Sequence, residues 1–209
     1  IVAMAFLLWY SVDFSRQMVY ADSMNALTAE VERIEDNFER NLERYDQLIN
    51  VCAFNDELQK VYANKYASLY TLHSKLKTMV VPLFGIIHSS MSDEVRYFQL
   101  YSQTGLCNYD SYIRNGDSVA DELWYQLALS VNGIKWNISD TRLYATCSII
   151  PYSPLLGKDS LGILYLEIDI EKFIGNWLLL NQDSYELTIS SDGEPLLCMS
   201  IGETDFSDS

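Results

Sequence analysis

The chain has 209 residues, 49 % hydrophobic and 13 % aromatic, enough to bury the core of one domain or two small ones and too apolar for a disordered segment. Fourteen basic against twenty-nine acidic side chains leave a formal charge of -15, which repels phosphate backbones and anionic headgroups and argues against nucleic acid as a partner. Fifteen tyrosines, each an apolar ring with a polar tip, suit half-wet pockets and favour binding over chemistry.

Residues 1–10, IVAMAFLLWY, carry no charge and end in the Trp9-Tyr10 pair typical of a membrane–water boundary. A bilayer needs about 20 apolar residues, so this stretch is expected to be the outer end of a transmembrane helix; a short core helix or the remains of a signal peptide is the alternative. From Ser11 onward the pattern is helical, with no Pro or Gly before Pro82. Tyr20, Met24, Leu27, Val31, Ile34, Phe38, Tyr45, Leu48 and Cys52 form a heptad seam in which Asn41 fills the skipped position, while Glu30, Glu32, Arg33, Glu35 and their neighbours make the solvated face. Such a stripe is buried either against a second copy in a homodimer or along its own domain. Asn55-Asp56 reads as a break with an N-cap. A second amphipathic helix is then expected from Leu58 to Met79, closed by Pro82 and Gly85.

From Val95 the texture turns to short β-rich runs: Val95 to Ser102, Ile134 to Ile138, Thr141 to Pro151, Leu161 to Ile170, Ser184 to Ser190 and Pro195 to Met199. One helix interrupts them, expected to start at an N-cap Ser118 with Asp121 and Glu122 in its first turn, and another covers Glu171 to Leu180. Ser190-Ser191-Asp192-Gly193 signals a turn between the last two strands. In the strongest strand Leu164, Leu166 and Ile168 fall on one face and Tyr165, Glu167 and Asp169 on the other. The expected class is α+β: an antiparallel sheet with a long N-terminal helix over its apolar face and short flanking helices.

Cys52, Cys107, Cys147 and Cys198 have no zinc-ligand spacing and read first as small buried apolar side chains, with a disulfide such as Cys107 to Cys147 permitted outside the cytoplasm. His73 and His88 belong to no paired-ligand motif, and His88 is expected in a loop. No GxSxG, GxxxxGK[ST] or GxGxxG string is present, so the sequence offers neither the common hydrolase and nucleotide motifs nor a cofactor site, although a carboxylate pair for glycoside chemistry is not singled out or removed by spacing.

The order of these elements resembles the Cache sensor domains, in particular the double Cache ectodomains of YesM-type sensor histidine kinases and related membrane-bound transcription regulators. The resemblance lies in Val95-Arg96-Tyr97-Phe98-Gln99-Leu100-Tyr101-Ser102, Trp124-Tyr125-Gln126-Leu127-Ala128, Trp136, Thr141-Arg142-Leu143-Tyr144 running to Pro151, Gly162-Ile163-Leu164-Tyr165-Leu166-Glu167-Ile168-Asp169-Ile170, and the closing Ile189 to Leu197. It covers nearly the whole chain and implies a PAS-like sheet with a pocket between the sheet and the Trp-Tyr segment. In relatives that bind amino acids, an Arg just before that string grips the ligand carboxylate and an acidic residue on the later strand holds its amine. Here Asp121, Glu122 and Leu123 precede Trp124, which puts an amino-acid ligand in question, and Glu167 stands at the acidic position with Asp169 on its face.

On the residues alone, Trp124, Tyr125, Trp136, Tyr144, Tyr165, Glu167 and Asp169 form a candidate slot for a sugar ring or other small polar solute, against the alternative that the aromatics are helix packing and Glu167 is solvated. The expected organisation is 1–10 as a membrane helix end, 11–81 as stalk and second helix, 82–180 as the PAS-like ligand-binding module, and 181–209 as the start of a membrane-proximal module or the closing strands of the first. The function expected is an extracytoplasmic ligand-sensing domain of a transmembrane receptor, non-catalytic itself, with a histidine kinase as first output and a chemoreceptor or transcription regulator as alternatives. An adhesion or scaffold ectodomain and a secreted enzyme are the competing classes.

Overall fold

The computed structural model describes residues 2–90, 93–139, 142–153, 155, 159–175, 185–191 and 194–201. The chain divides into two compact units, Ile1–Glu43 and Arg44–Ser209, and the boundary falls inside the first helix, α1 (Val2–Phe54). Among the described residues no helix is long and apolar enough to cross a membrane.

In the first unit the seam residues Tyr20, Met24, Leu27 and Val31 are exposed, and Glu30 pairs with Arg33 one turn on at 2.5 Å. In the second unit the end of α1 buries Tyr45, Ile49, Cys52 and Ala53. Ile49, not the seam residue Leu48, is the buried position, because a straight helix of 3.6 residues per turn drifts off a strict seven-residue repeat.

Asn55 ends α1 and caps α2 (Asp56–Tyr62), its side chain accepting the Leu58 N–H at 3.0 Å. The expected second helix is then broken: Asn64 adopts φ 53, a left-handed conformation that Asn tolerates, and Ser68 caps a new helix, α3 (Leu69–Lys75), by accepting the Thr71 N–H. Pro82 and Gly85 do not close that helix. A π-helical turn, Leu76–Val80, joins α3 to α4 (Val81–Ser90), with the Val81 N–H bonded to the Leu76 carbonyl five residues back. The wider turn accommodates Pro82, whose ring would otherwise press on the preceding turn. It also keeps Leu72, Leu76, Val80 and Phe84, spaced by fours, buried in the core. His88 consequently lies in the last turn of α4, not in a loop.

The strands are β1 (Val95–Ser102), β2 (Ile113–Asn115), β3 (Ile134–Ser139), β4 (Arg142–Ile149) and β5 (Gly162–Asp169), forming one sheet in the order β2-β1-β5-β4-β3. Neighbours are antiparallel except β1 and the short β2, which run parallel, so the sheet is mixed. β2 has only three residues, too few for an alternating pattern to announce it. A 3-10 turn (Gly116–Val119) and α5 (Leu123–Ser130) follow β2, and α6 (Ile170–Gly175) follows β5. The remainder of the helix expected to Leu180 lies outside the described residues. β6 (Tyr185–Ser191) and β7 (Glu194–Ile201) form a separate antiparallel pair; Asp192 and Gly193 of the expected turn lie outside the description.

One face of the large sheet carries the main core. Phe98, Leu100, Leu143, Ala145, Cys147, Leu164, Leu166 and Ile168 are all buried there, and each Leu or Ile so placed contributes about 1.5–3 kcal/mol. The expected α+β class, a long N-terminal helix with a sheet and few further helices, is what the structure has. Cys107 is free and exposed while Cys147 is free and buried, so Cys107 is not the buried side chain expected of it and the permitted Cys107–Cys147 bond is not formed.

Candidate functional site: an aromatic hollow on the second face of the sheet

The opposite face is built from the alternate residues of the same strands. Pairing sets Gln99 beside Tyr165, Tyr97 and Tyr144 on either side of Glu167, and Arg142 across from Asp169. Helix α5 covers part of this face. Its entry differs from the expected one: Asn115, not Ser118, is the capping side chain, accepting the Asp117 N–H at 3.1 Å for the 3-10 turn. Ser118 instead donates to the Asn115 carbonyl, and α5 begins only after an extended Glu122. Asp121 and Glu122 therefore precede the helix.

Inside α5, Tyr125 (3 % exposed) and Ala128 pack on Ile163 as a small core, with Trp124, Tyr101 and Val119 against it. Gly116 makes this possible, since a Cβ there would stand 2.2 Å from the Tyr125 hydroxyl oxygen and 2.8 Å from the Ser102 carbonyl. Leu123 and Leu127 remain exposed at the rim.

Two adjoining hollows open beside α5, of about 330 and 250 Å³, and share Glu122, Trp124, Arg142 and Tyr165. The first is completed by Tyr144 and the two rim leucines, the second by Tyr97, Gln99, Tyr101 and Glu167. Their aromatic wall is continuous: Tyr144 stacks on Tyr165 at 5.7 Å, and Tyr165 meets Trp124 at 4.7 Å and Tyr101 at 6.1 Å. Beneath these rings Glu167 is only 5 % exposed. Its Oε2 accepts the Tyr165 hydroxyl at 2.7 Å, and Arg96 Nη1 stands 3.9 Å from its Oε1. Burial, then the bond to Glu167, pushes the Tyr165 phenol far up, and burial raises Tyr101 and Tyr144 as well. All three remain neutral donors at physiological pH. Tyr101 donates to Gln99 Oε1 at 3.2 Å, and Gln99 donates to the Ser111 carbonyl, tying the wall to the β1–β2 loop.

No protein-family model and no curated protein matches this chain. Among solved structures it is similar to the ligand-binding domain of the Campylobacter jejuni chemoreceptor Tlp3 in complex with L-valine, at 13 % identity and a TM-score of 0.40, over 79 % of this chain and 73 % of that one.

Of the seven residues expected in the slot, the structure brings Trp124, Tyr144, Tyr165 and Glu167 together. Tyr125 lies behind the wall, in the small core. Asp169 sits at the C-terminal end of the central strand β5, engaged by Arg96 Nη2 at 2.8 Å. Trp136 is on the other face: its register with Ala145 turns it toward the main core, where its Nε1–H donates to Asp46 of α1 at 2.8 Å and its ring meets Tyr45. Tyr97, Gln99, Tyr101, Glu122 and Arg142 line the hollows without having been singled out. The alternation of Tyr97, Gln99 and Tyr101 along β1, and of Arg142 with Tyr144 along β4, was the available signal.

Proposed function

We propose that this chain is the extracytoplasmic, ligand-sensing domain of a bacterial transmembrane receptor, with a two-component sensor histidine kinase as its output, and that it binds a sugar or other small polar solute in the aromatic hollow. The observation that carries this reading is Glu167, a buried carboxylate with one strong hydrogen bond of its own, under a wall of Trp124, Tyr144 and Tyr165. A carboxylate held this way by Tyr165 and Arg96 keeps acceptor capacity that a ligand's donors can fill, while the rings take the apolar body. The module is non-catalytic in this reading. Residues 1–10 provide the attachment to the membrane, and the exposed seam from Tyr20 to Val31 pairs with a second copy, so that occupancy of the hollow shifts the packing of the helix in a dimer.

A thermal-shift screen of the purified chain against sugars, polyols, amines and organic acids tests the central claim, because a solute that binds the native state raises the melting temperature. Trp124→Ala is expected to abolish the shift. A panel that moves nothing, or a shift that survives Trp124→Ala, counts against the hollow as a sensor site and toward a ligand-free ectodomain.

A further inference from the structure

Strand β1 enters the sheet through a β-bulge. Val95 pairs with Ile168 and Tyr97 with Glu167, successive residues of β5, so Arg96 is the extra residue on β1. The bulge lets Val95 and Phe98 both face the main core and leaves Arg96 and Tyr97 together on the side of the hollow. Two acids there share one guanidinium. Asp169 Oδ2 accepts Nη2 at 2.8 Å and Nε at 3.3 Å, while Glu167 Oε1, under the hollow, stands 3.9 Å from Nη1. Asp169 is also joined to helix α1 by two routes. Its N–H donates to the Glu94 carbonyl at 2.7 Å, and the Glu94 carboxylate accepts the hydroxyl of the buried Tyr45. Its Oδ1 accepts the Lys172 N–H in the first turn of α6, whose Phe173 packs against the Tyr45 ring at 6.0 Å.

We propose that Arg96 is a positioning residue that couples the floor of the hollow to the end of α1. The inference rests on the hollow being a ligand site. A guanidinium is a rigid planar fork, so a turn that closes its gap to Glu167 lengthens its bonds to Asp169. Donors from a bound solute satisfy Glu167 and leave Arg96 to Asp169; an empty hollow leaves the two acids in competition. Asp169 holds both the Glu94 carbonyl and the first turn of α6, so each arrangement of Arg96 sets a different seat for Tyr45. This gives the device two states that both ends can bias, and the coupling is reciprocal: what alters Tyr45 alters the state of Glu167 by the same factor.

A double-mutant cycle tests the link with no ligand present. Glu167→Gln removes the charge that competes for Arg96, and Tyr45→Phe removes only the hydroxyl that Glu94 accepts; no hydrogen bond joins the two side chains. Urea unfolding of the purified chain gives the equilibrium constant for each variant. At independent sites the change in the double variant is the product of the single changes to within about twofold. Expected here is a departure of roughly fivefold or more, and the same departure when Glu94→Gln takes the place of Tyr45→Phe. In an Arg96→Gln background the product rule should return, which a merely structural role for Arg96 would not bring about. Tyr45→Phe combined with Leu127→Ala, at the rim, is the control and should multiply. Simple products with both Tyr45→Phe and Glu94→Gln, or a departure that survives Arg96→Gln, overturn the role of Arg96 and leave the solute screen of the hollow standing. A hollow that binds nothing in that screen removes the ligand reading whatever the cycle gives.

Discussion

In the proposed reading, Glu167 serves binding at the expense of stability. It is a buried carboxylate that accepts, among the described residues, one side-chain hydrogen bond, from Tyr165, and pairs with the Arg96 guanidinium at 3.9 Å. Replacing it by Gln removes a desolvated charge while keeping an acceptor for the Tyr165 hydroxyl. Glu167→Gln is therefore expected to hold or raise stability, by up to about 1 kcal/mol in urea denaturation, while weakening the ligand found by screening. A loss of about 2 kcal/mol or more would mean the charge is structurally required. The cysteines give a second residue-scale test. Burial pushes Cys52 up to about 12 and Cys147 up to about 11, whereas Cys107 is exposed. Brief alkylation of the folded chain at neutral pH, mapped by mass spectrometry, should modify Cys107 and spare Cys52 and Cys147. Gly116→Ala forces a methyl group against the Tyr125 hydroxyl and the Ser102 carbonyl, and about 1–3 kcal/mol of stability should be lost as α5 is displaced.

The elements themselves show which sequence signals survive folding. Asn55 was recognisable as a helix cap because a short polar side chain followed by Asp-Glu needs no tertiary help to satisfy the first N–H groups, and its bond to Leu58 is local. Asn55→Ala should cost about 1 kcal/mol and lower the melting temperature by about 2–4 °C. An unchanged melting temperature would show that the α1–α2 junction is held by packing, with Gln59 bonding the Ala53 and Ile150 carbonyls, and not by its cap. The α3 to α4 passage departs from the expected stop for the converse reason. Pro82 and Gly85 are strong local stop signals, yet a π turn absorbs the proline and burial of Val80, Phe84 and Ile87 outweighs the propensity. Ahead of α5 the expected cap, Ser118, lies within a 3-10 turn that Asn115 caps instead, and α5 itself has no side-chain cap. Asn115 prevailed because β2 delivers the chain there, and β2 exists only through its pairing with β1.

At the scale of the whole molecule, acid stability should depend on the Arg96–Asp169 pair at the end of the central strand. Burial pushes the Asp169 carboxyl up, but the Arg96 bond, the Lys172 N–H and the nearby positive charges together bring it below its ordinary value. A carboxylate lowered on folding stabilises above its unfolded value, about 3.9, and that stabilisation is lost as pH falls through the folded value. Urea midpoints measured down to about pH 2.5 should therefore decline below about pH 4, and Arg96→Gln should flatten that limb. Equal acid limbs in the two proteins would remove the Arg96–Asp169 pair as the cause.

Sequence alone determined whatever depends on neighbours along the chain: the long helix, its end at Asn55, the limits of β1, and the two faces of β5, since periods of 3.6 and 2 are set by backbone geometry. Tertiary structure decided which side of the sheet each candidate occupied. Trp136 and Tyr144 sit on neighbouring strands, and only the register that pairs Trp136 with Ala145 and Tyr144 with Glu167 sends one to the core and the other to the hollow. A shift of one residue would exchange them, because alternate side chains point to opposite faces and nothing local to either strand specifies its partner.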